Sequence, residues 1–139
     1  MSVQFQDNSM RVKAELEQAA IAYLHEAGES LASQTASNSR VRSGQLKGSW
    51  TYKVDESKLE TQVGSPLENA IWEEFGTGEY ALKGDGRKGG WCYKDEMTGE
   101  FHHTHGKTPN RALQNAFNAL KNALIRRAEA VFKAKDDEE

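Results

Sequence analysis

Apolar residues return at three- and four-residue steps through Val12, Leu16, Ala20, Tyr23, Ala27 and Leu31, the spacing that lines one face of a helix. The pattern predicts a first amphipathic helix reaching about residue 34, with Arg11, Lys13, Glu15, Glu17 and Glu26 on its polar face. Residues 1–8 ahead of it are expected to be a loose arm. Gly28 falls inside the helix, costs about 1 kcal/mol there relative to alanine, and marks a bend or a close contact. Residues 35–42 are rich in Ser, Asn and Arg and read as a loop, after which Ser43 is placed to cap one short helical turn through Leu46. The period then changes to two. Trp50, Tyr52 and Val54 take one face and Thr51, Lys53 and Asp55 the other; Leu59, Thr61 and Val63 repeat the alternation beyond a polar turn at 56–58, which predicts an antiparallel hairpin.

Pro66 opens a short segment in which Leu67, Ala70, Ile71 and Phe75 share one helical face, ended by Gly76 and Gly78. Six glycines between positions 76 and 90, interspersed with Lys83, Arg87 and Lys88, make a stretch too costly in backbone entropy to order alone. A loop that stays mobile until something contacts it is expected. Trp91, Cys92 and Tyr93, then residues 101–105, flank 95–99 as a second hairpin, and 78–107 together form the mobile loop and hairpin. Pro109 suits the first turn of a last helix, striped by Leu113, Phe117, Leu120, Leu124, Ala128 and Val131. Lys133 and Lys135 favour its C-terminal end, whereas the acidic tail at 134–139 opposes the helix dipole, so fraying is expected near there. The elements add up to one α+β domain over 1–139, a small antiparallel sheet of hairpins packed against long N-terminal and C-terminal helices.

Composition narrows the function classes. A chain of 139 residues suits one domain, and a hydrophobic fraction of 37% with a mean hydropathy of -0.80 leaves little apolar material beyond two helices and a small sheet. Stability is expected to draw on partners. A net charge of -3 does not describe a surface built to hold phosphates. The single cysteine, Cys92, excludes an intramolecular disulfide and a cysteine-based zinc knuckle and agrees with folding in a reducing cytoplasm. There is no apolar run long enough to span a membrane and no signal-peptide pattern at the start, so neither a membrane location nor export by the usual route is expected.

The candidate chemistry weakens on inspection. Gly84-Asp85-Gly86-Arg87-Lys88-Gly89 matches the dinucleotide fingerprint in letters, but no core strand precedes it and no helix opens at Gly90-Trp91. Gly106-Lys107-Thr108 resembles the end of a phosphate-binding loop, yet Phe101 stands where its first glycine belongs and Pro109 removes a donor. His102, His103 and His105 are zinc-ligand types with Cys92 on the paired strand, but on an extended strand His103 and His105 face one side and His102 the other. Adjacent Glu73 and Glu74 diverge by about 100 degrees on a helix and form no acid–base pair. Ser43 and Ser49 read as caps and strand edges, and Arg126, Arg127, Lys133 and Lys135 as a solvated helix face.

Several motifs in order remain: Ser43-Gly44-Gln45-Leu46-Lys47-Gly48-Ser49, Val63-Gly64 at a hairpin end, Glu74-Phe75-Gly76-Thr77-Gly78, then Trp91, Gly106 and Pro109. This order, over about residues 10–132, resembles the tail-component family of long-tailed bacteriophages, small neck or tail-completion proteins. Asn110-Arg111-Ala112-Leu113 departs from it, since the family often carries a second proline and a phenylalanine there, and the glycine-rich stretch 84–90 reads as a variable insertion. The resemblance implies a non-catalytic virion protein, made in the host cytoplasm and forming a homo-oligomeric ring at the head–tail junction, without cofactors. Its implied partners are head-closure or connector proteins on one side and tail-terminator or tail-tube proteins on the other, with transient passage of phage DNA. Trp91, Tyr93, Phe101, Phe75, Thr77, Arg87 and Lys88 are the subunit-interface candidates. The competing readings are a metal-dependent nucleic-acid enzyme or binder using His102, His103 and His105, and an assembly factor absent from the finished particle.

Overall fold

The computed structural model describes residues 7–40 and 44–137, with side chains described through Lys133. Three helices and two hairpins follow one another as α1 (Ser9–Asn38), β1 (Thr51–Asp55), β2 (Glu60–Gly64), α2 (Asn69–Phe75), β3 (Trp91–Lys94), β4 (Phe101–Thr104) and α3 (Ala112–Asp137). The two sheets are separate, each of two antiparallel strands. This is the expected α+β class. The long helices α1 and α3 run antiparallel, and the first sheet packs on α1, which therefore carries both other layers.

The packing of α1 on the sheet explains Gly28. Tyr52 pairs with Val63 and Val54 with Thr61, which puts all four on one face of the sheet as the alternation predicts. That face meets α1 at Gly28, where a Cβ would lie 2.6 Å from both Thr61 Oγ1 and the Tyr52 ring. Gly28 is therefore a close contact that brings helix and sheet backbones together. Trp50, at the entrance to β1, donates its indole N–H to Ser39 Oγ at 2.8 Å.

Several boundaries differ from those expected. Helix α1 continues four residues beyond 34 because Thr35, fully buried, donates its hydroxyl to Leu31 O, and Asn38 reaches Ala112 O across to α3. Tertiary contacts thus hold a polar last turn that pattern alone assigns to a loop. Ser43, and with it the expected cap, lies outside the described residues; the short turn is a 3-10 helix at Lys47–Ser49. Leu59 sits in the turn, not in β2. Asp55 accepts hydrogen bonds from Ser57 and Lys58, which closes the turn and leaves Leu59 exposed at φ 52. Those bonds, the Ser57 hydroxyl first, hold the Asp55 carboxyl below its usual range.

Helix α3 starts at Ala112, three residues after Pro109, because Asn110 is tied elsewhere: its N–H donates to Glu73 O at 2.6 Å and its amide to Asn38 O at 3.0 Å. At the other end the backbone stays helical to Asp137, past the expected fraying point. An unfavourable dipole contact is worth only about 0.3–1 kcal/mol at an exposed end, too little to stop propagation.

Helices α1 and α3 are joined along their length. Tyr23 donates its hydroxyl to Leu124 O at 2.6 Å, and Arg127 Nε lies 3.1 Å from Glu26 Oε1. Burial and, secondarily, the Glu26 charge push the Tyr23 phenol above 10.0. Tyr23→Phe should cost about 1 kcal/mol in urea unfolding, the usual net worth of such a bond. Because folding favours the neutral phenol, its contribution is complete below pH 10.0 and lost as pH rises through the raised folded value. The alkaline loss of stability should shrink in Tyr23→Phe; an unchanged alkaline profile would exclude Tyr23 as its source.

The buried apolar side chains are few and small. Among the described residues they are Ala27, Ala32, Leu46, Ala70, Ala112 and Ala116, so helix contacts are close but bury little area per residue. Large apolar groups lie outside: Ile71 is 63% exposed, Trp72 51% and Phe101 75%.

Candidate functional site

The segment 73–78 is the structural centre of the second half of the chain. Glu73 and Glu74, adjacent on α2, are both buried and point to different partners. The Glu73 carboxylate accepts from Arg40 Nε at 3.0 Å and from Lys107 Nζ, so it ties the end of α1 to the segment before α3. Glu74 accepts from the backbone N–H of Leu113 at 2.7 Å and of Gln114 at 3.3 Å. Those are second and third residues of α3, the donors that an N-cap side chain normally satisfies. The residue at the cap position is Arg111, with φ 55 and no side-chain acceptor, so a carboxylate from α2 does this work. The Arg111 guanidinium lies over the Phe75 ring at 5.1 Å, and Lys83 Nζ approaches that ring at 5.0 Å. The two side chains diverge, as the adjacent positions on a helix lead one to expect.

Beyond α2 the chain runs beside residues 105–107. Thr77 N–H donates to Lys107 O, Lys107 N–H to Thr77 O, and Glu79 N–H to His105 O. The Thr77 hydroxyl also accepts from Lys107 N–H at 2.9 Å. The two segments approach so closely that only glycine fits: a Cβ at Gly78 would lie 2.2 Å from His105 O, and one at Gly106 2.0 Å from Thr77 O. Both have positive φ. The Gly-Thr-Gly motif thereby joins the base of the second hairpin to α2. Gly86 lies against the Gly78 backbone, so the fingerprint-like stretch packs as an irregular segment and leads into β3 rather than a helix.

This arrangement encloses a cleft of about 960 Å³. Trp72, Tyr80, Trp91 and Tyr93 form its aromatic walls, and Asp85, Arg87 and Lys107 supply charge at its lining. Arg87 stacks above Trp91 at 5.8 Å. Of the residues singled out in the sequence, Trp91, Tyr93, Thr77 and Arg87 meet here; Phe75 does not line the cleft and sits between Lys83 and Arg111; Lys88 is on the exposed loop; Phe101 stands on the hairpin's other face. Trp72 and Tyr80 were not among them. Trp72 had a signal, since it lies off the face shared by Leu67, Ala70, Ile71 and Phe75, and a tryptophan on the flank of a short helix is an exposed ring. Ile71 shares that face yet is exposed, because α2 meets the body through Ala70, Glu73 and Glu74.

The histidines divide as expected. His103 and His105 stack edge to face at 5.1 Å, while His102 lies 3.9 Å from both Asp95 and Glu100 on the opposite side. Cys92 pairs with His103 across the sheet and is exposed. Among the described residues no group of three or more His, Cys, Asp or Glu is placed to hold a metal ion. Ser49 Oγ lies 2.6 Å from Ser65 Oγ and bonds Leu46 O, a turn-closing role. No helix among the described residues is long and apolar enough to cross a membrane.

No curated protein and no solved structure matches the chain. A family model does, described as "Bacteriophage HK97-gp10, putative tail-component", over residues 4–76. The matched part takes in α1, the first hairpin and α2, and ends at Gly76, at the entrance to the cleft. By that match, which spans more than half of its length, the chain belongs to the HK97-gp10-like family of bacteriophage tail components.

Proposed function

We propose that this protein is a neck or tail-completion subunit, one of several copies that form a ring at the head–tail junction and join head to tail without catalysis. Family membership gives it a virion structural role. The observation that carries the finer reading is the inverted distribution of apolar groups: among the described residues the buried set is mostly alanine, while more than half of the exposed large apolar side chains, Ile71, Trp72, Tyr80, Leu82, Tyr93, Met97 and Phe101, lie around α2 and the second hairpin, the others being Met10, Leu59, Phe117, Ile125 and Phe132. Exposed apolar surface gathered in one region marks an interaction site. Its neighbours in this reading are head-closure or connector proteins and tail-terminator or tail-tube proteins. A net charge of -3 suits a channel that DNA slides past. Segment 78–107 is the part whose order we assign to contact with those neighbours.

A phage carrying a stop codon in this gene tests the reading by electron microscopy. DNA-filled heads beside separate, complete tails are the expected products. Joined, infectious particles would remove the junction role. Absence of the protein from purified wild-type particles by mass spectrometry would make it an assembly factor instead.

A further inference from the structure

The second hairpin has two unlike faces. Trp91 pairs with Thr104 and Tyr93 with His102, so these four share one face, and Trp91, Tyr93 and Thr104 line the cleft. Cys92 pairs with His103 and Lys94 with Phe101 on the opposite face. Phe101 is the most exposed aromatic side chain among the described residues, at 75%, and Met97 at the turn is 62% exposed. An apolar projection and an aromatic hollow therefore stand back to back on one small element. Among the described residues no helix packs against either β3 or β4, so the projecting face is left open.

Charge is complementary in the same sense. The hairpin tip carries exposed Glu96 and Glu100 near Phe101, with Lys94 as its cross-strand partner, and the cleft carries exposed Arg87 and Asp85, its Lys107 being paired with Glu73 and Lys88 following on the exposed loop. A net acidic, phenylalanine-bearing tip fits an aromatic cleft whose rim presents Arg87 and, beyond it, Lys88. Each copy holds one of each, facing opposite ways, and contacts between unlike patches repeat head to tail, giving a ring where the rotation from copy to copy closes and an open filament where it does not. A symmetric contact would stop at two copies.

We propose that the Phe101 face of one copy's hairpin seats in the cleft formed by Trp72, Tyr80, Trp91 and Tyr93 of the next copy, and that this contact suffices for the purified chain to self-associate. The inference rests on reading the chain as a ring subunit. It assigns Phe101 as donor and Trp72 as acceptor, a division of roles within one interface.

Phe101→Glu and Trp72→Glu alter exposed positions, and thermal unfolding of each should match the wild type. Arg87→Glu, at an exposed rim position, is a second cleft variant should Trp72→Glu unfold. In sedimentation velocity the wild-type chain should form multimers, and each variant alone should associate about 30-fold more weakly or less, as expected for a lost central anchor. An equal mixture of Phe101→Glu with a cleft variant retains one intact contact and should give 1:1 dimers that grow no further. A monomeric wild type, a monomeric mixture, or a folded variant that multimerises normally would overturn the docking. Copy number per particle, from quantitative mass spectrometry, judges the ring separately: several copies leave the ring standing on another contact, and one copy removes it.

Discussion

Gly28→Ala is expected to lower stability by about 1–3 kcal/mol, the cost of forcing an extra carbon into a filled space. The sign is informative because the same change at an exposed helix position would add about 1 kcal/mol of helix propensity. Here the new Cβ meets Thr61 Oγ1 and the Tyr52 ring at 2.6 Å. Neither neighbour has an easy way out: Tyr52 OH lies 3.1 Å from His25 Nδ1, and Thr61 sits in the middle of β2 opposite Val54. The sheet must therefore shift off α1, the helix that holds both it and α3. Urea unfolding reads the change, and Gly28→Ala as stable as the wild type would mean that helix and sheet are not in close contact at this point.

The second large effect is at Glu74. Glu74→Ala removes the acceptor for two N–H groups at the start of α3, and should cost about 2 kcal/mol by analogy with the loss of a good N-cap. Glu74→Gln keeps one carbonyl oxygen and should cost less. Hydrogen exchange localises the effect: the amides of Leu113 and Gln114 should lose protection first, since Glu74 Oε1 is their partner. A change within ~0.5 kcal/mol for Glu74→Ala, the range of a neutral surface substitution, would show that α3 starts without help from α2. Because only Phe75 separates Glu74 from the Gly-Thr-Gly segment, its loss should also loosen the cleft floor.

These two positions show how unevenly sequence speaks. Gly28 was legible as an anomaly, a glycine inside a strong helical stripe, and of the two expectations it raised the close contact is the one found. Glu74 was not legible in its role. Its partners lie 39 and 40 residues away, and nothing local distinguishes a carboxylate that caps a distant helix from one in water. The same holds for Glu73, whose partners Arg40 and Lys107 are 33 and 34 residues away in opposite directions. Of the cleft, Trp91, Tyr93, Thr77 and Arg87 could be named in advance, because aromatic and glycine-flanked residues in a hairpin stand out. Trp72 could be read only as an exposed ring, its place in the cleft depending on how α2 is turned, and Tyr80, in the turn beyond α2, had no local signal.

By itself the sequence determined the two long helices, both hairpins, the face that Tyr52, Val54, Thr61 and Val63 share, and the order of motifs that belongs to a phage tail component. Each follows from periodicity or from turn chemistry within a few residues, where the local backbone decides. Tertiary structure alone decided that α1 runs on to Asn38, that α3 waits until Ala112, and that Ile71 and Trp72 face out while two glutamates are buried. Those outcomes depend on hydrogen bonds and close approaches between segments far apart in the chain, and such contacts have no period to read.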